Sequence, residues 1–207
     1  MHGSEIFLLG VAGGSCSGKT TVARRIADKL GGATALHIRF DSYYRPLNHL
    51  PMEERHRCNF DHPDSLEHEL FAEHLRTLRG GRGIELPRYD FATHAREARS
   101  DPAGPAPVVI ADGILLLAFA ELRDQLDLTV FLDVPEEVRL QRRIARDQVE
   151  RGRSEQSVRR QFAESVAPMH TLFVQPGARV ADRVIGHPYS IDGVATELAE
   201  VVRTHLC

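Results

Sequence analysis

Two rhythms of apolar residues alternate along the 207-residue chain. Short, nearly continuous apolar runs fall near residues 5–12, 34–40, 107–112, 127–134 and 182–186, and runs of that kind predict buried strands. Helical patterns fall between and beyond them, near 19–31, 65–80, 135–150, 155–172 and 191–205. Ser65, and Pro135 followed by Glu136 and Glu137, supply chemistry suited to helix starts. The alternation predicts an α/β fold, a parallel sheet flanked by helices within one domain over 1–207. Asp41 to Asp64 breaks both rhythms and is rich in His, Asn, Pro and aromatic residues; loops of that length are usually functional. Ile84 to Arg99 predicts a hairpin or β-excursion, and Ser100–Pro107 (SDPAGPAP) a turn-rich connector.

Composition narrows the class. A formal net charge of −3 provides no global basic field, so neither nucleic acid nor a membrane surface is an expected partner. With 42% hydrophobic residues and no apolar run of spanning length, the expectation is a soluble globular protein. The N-terminus has no basic stretch, and Ile6–Ala12 runs directly into a glycine-rich loop, so no signal peptide is expected. Cys16, Cys58 and Cys207 are isolated, which suits a reducing cytoplasm and argues against structural zinc or a disulfide framework.

The candidate chemistry begins where the first strand ends. Gly13-Gly14-Ser15-Cys16-Ser17-Gly18-Lys19-Thr20 fits G-x-x-x-x-G-K-[ST], between a predicted strand and a predicted helix. Glycines let the backbone fold into a cup of N–H groups, and the helix N-terminus adds a fixed positive partial charge. Lys19 is suited to the β/γ-phosphates and the Thr20 hydroxyl to Mg²⁺; Thr21 follows in the first helical turn. A plain Gly/Ser turn is the competing reading, and composition argues against it: Lys19 and Lys29 are the only lysines, so chance would place arginine at this position.

Two aspartates end apolar runs. Asp41 follows His37-Ile38-Arg39-Phe40, at the carboxyl end of a strand, where open α/β sheets put their ligands. A carboxylate there can accept the proton of an attacking hydroxyl, although an Asx turn explains an isolated Asp-Ser equally well. Asp112 follows Val108–Ala111 and precedes Gly113, a position suited to Mg²⁺. Arg139, Arg142, Arg143 and Arg146 recur at helical spacing and continue into Arg151-Gly152-Arg153. Such a stripe costs a few tenths of a kcal/mol per like-charged pair unless an anion sits against it. A solvated helix face, with local pairs such as Arg143–Asp147, accounts for Arg139 and Arg142. Arg151 and Arg153 flank a glycine suited to a hinge or cap and fit a mobile lid better.

Taken together these stretches resemble the uridine kinase family (uridine–cytidine kinases) of phosphate-loop nucleoside and nucleotide kinases. The matching text is GGSCSGKT at 13–20, DSYY at 41–44, NFDHPDS at 59–65, PRYDFATHAR at 87–96 and RRIARDQVERGRS at 142–154. HLPMEER at 49–55 and VVIADGILLL at 108–117 add to it, so the similarity runs from about 6 to 186. Phosphoribulokinase and pantothenate kinase share the loop and architecture without the NFDHP and YDFxxHxR combination.

The resemblance implies a phosphate-loop NTPase-type sheet, a nucleoside-binding insertion over about 41–105 and an arginine lid over about 143–160. It implies transfer of the γ-phosphoryl of ATP (or GTP), with Mg²⁺, to the 5′-hydroxyl of uridine or cytidine, and a homotetramer. Asp41 would be the base and a further Mg²⁺ contact beside Thr20 and Asp112, with Lys19, Arg146 and Arg151 acting on the transferring phosphoryl group. Gly13, Gly14, Ser15, Cys16, Ser17, Gly18, Lys19, Thr20, Thr21, Arg151 and Arg153 would hold the nucleotide. Asp41, Tyr44, Phe60, Asp61, Tyr89, Phe91, His94, Arg143, Arg146 and Gln161 would hold the nucleoside. Two positions depart from the family: Asp112 stands where glutamate is usual, and Cys16 where a small or hydroxylic residue is usual. A thiol at a helix N-terminus is a candidate for alkylation that ATP protects against. A kinase for another hydroxylated metabolite, and a nucleotide-dependent switch without an acceptor, are the competing readings.

Overall fold

The computed structural model of the chain describes residues 6–55 and 58–206, so Cys207 and its expected isolation lie outside the described residues. Five strands form one parallel sheet in the order β2-β5-β1-β6-β7. They are β1 (Phe7–Gly13), β2 (Ala35–Arg39), β5 (Val108–Gly113), β6 (Leu128–Asp133) and β7 (Arg183–Gly186). All five apolar runs became strands of this sheet. A separate antiparallel hairpin pairs β3 (Ile84–Asp90) with β4 (Ala95–Ala103).

The helices are α1 (Lys19–Leu30), α2 (Met52–Arg55), α3 (His68–Arg79), α4 (Ala120–Arg123), α5 (Glu136–Arg151), α6 (Glu155–Gln161), α7 (Ala167–Met169) and α8 (Ile191–Leu206). Among the described residues no helix is long and apolar enough to cross a membrane. The sheet carries one hydrophobic cluster on each face. Val22, Ala23 and Ile26 of α1 pack with Val194, Leu198 and Val202 of α8 against Leu9, Val11 and Ile110. On the other face Phe71, Leu75 and Leu78 of α3 pack with Phe40 and Tyr43 against Leu8, Val109 and Ala111. Alternate residues of β1, β2, β5 and β6 thus enter opposite clusters, the period-two rule of an extended chain covered on both sides, whereas edge strand β7 contributes only Ile185 and leaves Val184 exposed.

Three local expectations changed. Ser65 does not cap a helix: its Oγ donates to the carbonyls of Phe60 (3.1 Å) and His62 (2.6 Å), closing a 3₁₀ turn at Pro63–Ser65, and α3 begins later. The Ser100–Pro107 connector is half strand, because β4 runs through Ser100, Asp101 and Pro102 to Ala103. A two-stranded hairpin has free outer edges, where proline costs no ladder bond. The helix expected over 155–172 continues past α6 through π-helical turns at Phe162–Val166 and His170–Val174, which flank α7, and a 3₁₀ turn at Gln175–Arg179.

Candidate active site

β1 ends at Gly13, whose φ of +145° and whose approach to β6 exclude a side chain: a Cβ there would lie 2.7 Å from the Leu132 carbonyl oxygen. The loop closes with Ser17 N–H donating to Gly14 O at 3.0 Å, and Gly18, left-handed at φ +101°, delivers the chain into α1. Lys19 is the first helical residue and is buried, with Thr20 and Thr21 beside it. Cys16 takes a left-handed φ of 62° without being glycine, a conformation uncommon for a residue with a Cβ.

Three carboxylates converge electrostatically on Lys19: Asp41, Asp61 and Asp112. Asp41 lies in the 3₁₀ turn Phe40–Tyr43 immediately after β2, and its Oδ1 is buried without a hydrogen-bond partner. Burial pushes its pKa up, against the pull of Lys19, and Asp112 adds to the rise. Asp61 is likewise raised by burial, with Arg143 opposing. Asp112 is fully buried, and burial alone would raise it. His37, Lys19 and Thr20 outweigh that and hold the carboxyl below its ordinary value. Both Asp112 oxygens are buried without a hydrogen bond, an arrangement that fits a cation. Among the described residues no group of three His, Cys, Asp or Glu side chains could hold a metal by itself. A divalent ion at Thr20 and Asp112 would therefore take further ligands from phosphate oxygens and water.

The aromatic residues from three segments form one cluster. Tyr44 meets Phe60 at 5.4 Å, Tyr89 at 5.2 Å and Phe91 at 6.4 Å between ring centroids. Phe60 stacks on His94 at 4.5 Å, and His94 reaches that position with a left-handed φ of 49°. Tyr44 ionisation is suppressed by burial and then by Asp41 and Asp61, so the aromatic cluster and the carboxylates are one site. The Tyr89 hydroxyl is buried with no hydrogen-bond partner among the described residues. Arg96 anchors the cluster from the hairpin, donating to Tyr44 O at 2.8 Å and pairing with Glu67.

Three arginines of α5, with Arg153 just beyond it, converge on Asp147, which is fully buried. Arg146 binds it through Nη2 at 2.8 Å and Nε at 2.9 Å, while Arg143, Arg151 and Arg153 each stand 3.7 Å away. Gln161 ties Arg143 (3.0 Å) to Arg153 (2.6 Å) through its Oε1, and Arg143 also donates to Ser15 Oγ of the phosphate loop at 2.9 Å. Gly152, left-handed at φ 61°, ends α5 and turns Arg153 back toward Asp147. Arg151 and Arg153 lose basicity, first by burial and then by neighbouring arginines.

Arg139 is not on a solvated face. It is 2% exposed, with its guanidinium 5.8 Å from the Phe162 ring centroid and its Nε donating to Val134 O. A Cβ on Gly14 would lie 2.8 Å from its Cδ, so this arginine supports the phosphate loop from beneath. Arg142 is exposed, as expected, yet reaches the Cys16 and Ser17 carbonyls.

Several contributors carried no local signal. Tyr189 closes over the loop, its hydroxyl donating to Ser17 O beside Gly18. His37 stands beside Asp112. Ser165 ties the helical segment after α6 to Asn59 of the NFDHP loop at 3.0 Å. Only for Asp147, placed four residues after Arg143, did the helical spacing offer a clue.

The sequence pattern of the phosphoribulokinase / uridine kinase family matches residues 8–189. A uridine kinase from Chloroflexus aurantiacus is 43% identical over 195 residues, covering 92% of this chain and 93% of that protein. A uridine kinase from Halobacterium salinarum is 43% identical over 194 residues, covering 94% and 85%. Among solved structures, a D-glycerate 3-kinase from Cryptococcus neoformans superposes with a TM-score of 0.64 at 18% identity, covering 88% of this chain and 86% of that one, a likeness of fold.

Proposed function

The chain belongs to the phosphoribulokinase / uridine kinase family, and from that premise we propose that it is a uridine/cytidine kinase. It transfers the γ-phosphoryl group of ATP (or GTP) to the nucleoside 5′-hydroxyl, giving UMP or CMP in pyrimidine salvage. Relatives named uridine kinase at 38–43% identity over most of the chain support that substrate class. The observation that carries the reading to particular residues is the position of Asp41. Its buried carboxylate is coupled electrostatically both to Lys19 of the phosphate loop and to Tyr44, which packs with Phe60, Tyr89 and Phe91.

Each group has a physical task. The loop N–H groups and Lys19 take the phosphates, and Asp41 accepts the proton of the attacking hydroxyl. Its raised pKa favours that acceptance and makes ionised Asp41 a stronger base than an exposed aspartate. The aromatic rings cover the faces of the pyrimidine, with His94 and Tyr89 at its edge and Asp61 lining the same pocket. Arg143 and Gln161 fall on the nucleoside side, whereas Arg146, Arg151 and Arg153 stabilise charge on the transferring group. Thr20 and Asp112, with Asp41 nearby, would hold Mg²⁺, which when bound neutralises phosphate charge and orients the nucleotide. Residues 41–105 serve as the nucleoside-binding insertion and 143–160 as the lid that excludes water.

ADP release with a panel of nucleosides, ribulose 5-phosphate and pantothenate, for the wild type and Asp41→Asn, tests the reading. Uridine or cytidine should stimulate turnover in the wild type alone. Turnover indifferent to nucleosides, or stimulated by one of the other acceptors instead, overturns it.

A further inference from the structure

We infer that His37 is a positioning residue for Asp112, orienting the buried carboxylate toward the divalent cation that accompanies the nucleotide. The inference rests on the phosphate-loop kinase reading but not on which acceptor is phosphorylated.

The contact follows from strand register. β2 and β5 run parallel, with His37 opposite Ile110 and Arg39 opposite Asp112. Residues two apart on a strand share a face, so His37 and Asp112 are diagonal neighbours on the face covered by α1, which begins with Lys19 and Thr20. His37 Nε2 stands 3.7 Å from Asp112 Oδ2, with side-chain exposures of 15% and 0%. Nε2 and both carboxylate oxygens are buried and have no partner at hydrogen-bonding distance, the Thr20 hydroxyl being the other side-chain donor beside the carboxylate. A displacement of less than about 1 Å brings the pair to a normal N–H···O distance. With Oδ2 held by an imidazole N–H, Oδ1 is left for the cation or one of its waters, the usual division of labour around a ligating carboxylate.

Asp112 needs such a hold more than a longer side chain would. An aspartate carboxylate is one methylene shorter than that of glutamate and has less reach with which to find a cation by itself. The imidazole is also dispensable for packing. His37 is on an edge strand and lines a cleft of about 330 Å³ with Arg39, Ser42, Pro87 and Tyr89, so trimming it enlarges the cleft and leaves the core closed.

The test is a Mn²⁺ titration followed by electron paramagnetic resonance, with a non-hydrolysable ATP analogue and no acceptor. Wild type, His37→Ala, His37→Gln, Asp112→Ala and the His37→Ala/Asp112→Ala double variant are compared, alongside analogue binding in EDTA. His37→Ala should weaken Mn²⁺ binding roughly tenfold while metal-free nucleotide affinity stays unchanged. His37→Gln, which keeps a donor near the Nε2 position, should recover most of the loss. In the Asp112→Ala background His37→Ala should have no further effect. Wild-type Mn²⁺ affinity in His37→Ala, no recovery in His37→Gln, an equal loss in metal-free binding, or an undiminished effect without Asp112 each overturns the inference. A wrong acceptor assignment leaves every titration unaltered, whereas failure of the wild type to bind metal and nucleotide overturns the kinase reading as well.

Discussion

Replacing Asp147 with asparagine removes the one charge around which Arg143, Arg146, Arg151 and Arg153 are packed. The side chain keeps its volume, so the change is electrostatic and not a cavity. Asp147 is fully buried, with two contacts to Arg146 at 2.8 and 2.9 Å and three further guanidiniums at 3.7 Å. Removing one partner from a buried ion pair costs about 3–5 kcal/mol, because the remaining charge is left uncompensated. Here the remaining charges are four, mutually repelling, although the asparagine carbonyl still accepts one bond from Arg146. For a domain of this length each kcal/mol shifts Tm by about 2–4 °C, so the expected fall is roughly 6–20 °C. A second readout isolates the cause. Nucleotide phosphates supply the negative charge that the variant lacks, so the Tm rise on adding a non-hydrolysable ATP analogue with Mg²⁺ should be larger in Asp147→Asn than in the wild type. Differential scanning calorimetry of both proteins, with and without the analogue, measures both quantities. A fall smaller than about 2 °C, or a ligand-induced rise no larger than that of the wild type, would refute this account of the cluster.

Other consequences concern the carboxylates and the loop. Asp41→Asn should lower kcat by about 10²–10⁴ through loss of the base, while Tm at pH 7 stays level or rises; a clear loss of stability contradicts the placement of Asp41 in a desolvated position. The sign follows from its raised pKa: the fold favours the protonated acid, so the ionised group weakens the fold as pH climbs from the unfolded toward the folded value, and asparagine removes that penalty. For the same reason the acidic limb of kcat/KM, which reports the free enzyme, should titrate above the ordinary aspartate value of 3.8, with the rate rising as Asp41 ionises; a limb at or below 3.8 speaks against it. Gly13→Ala should destabilise the protein by at least about 1–3 kcal/mol through backbone strain alone, because φ is +145° and the new Cβ meets Leu132 O at 2.7 Å; urea denaturation with an unchanged midpoint refutes it.

Much of this protein is written in local windows of the sequence. The five sheet strands, the phosphate loop with its lysine and threonine, the hairpin and the left-handed glycine after α5 follow from periodicity and turn chemistry. These depend on neighbours a few residues away, and so they can be read without knowing the fold. Ser65 and Ser100–Pro107 show the limit of that reading, since a hydroxyl that caps a helix can equally close a turn, and a proline-containing stretch can pair when it lies on a free edge.

What tertiary structure alone decided is which groups share a dielectric. Arg139 reads as one more charge on a polar helix face until Phe162 and Gly14 close over it. Asp147 reads as half of a helical ion pair until Gly152 turns the chain and brings Arg153 back to it. His37 and Asp112 end up side by side only because β2 and β5, far apart in the chain, are adjacent in the sheet with one particular register. The chain's local chemistry determined the phosphate loop and, through its motifs, the residues proposed for the acceptor. The sheet's order and the burial it imposes determined the charge state and orientation of the carboxylates between them, because desolvation and partner geometry are properties of the assembled core.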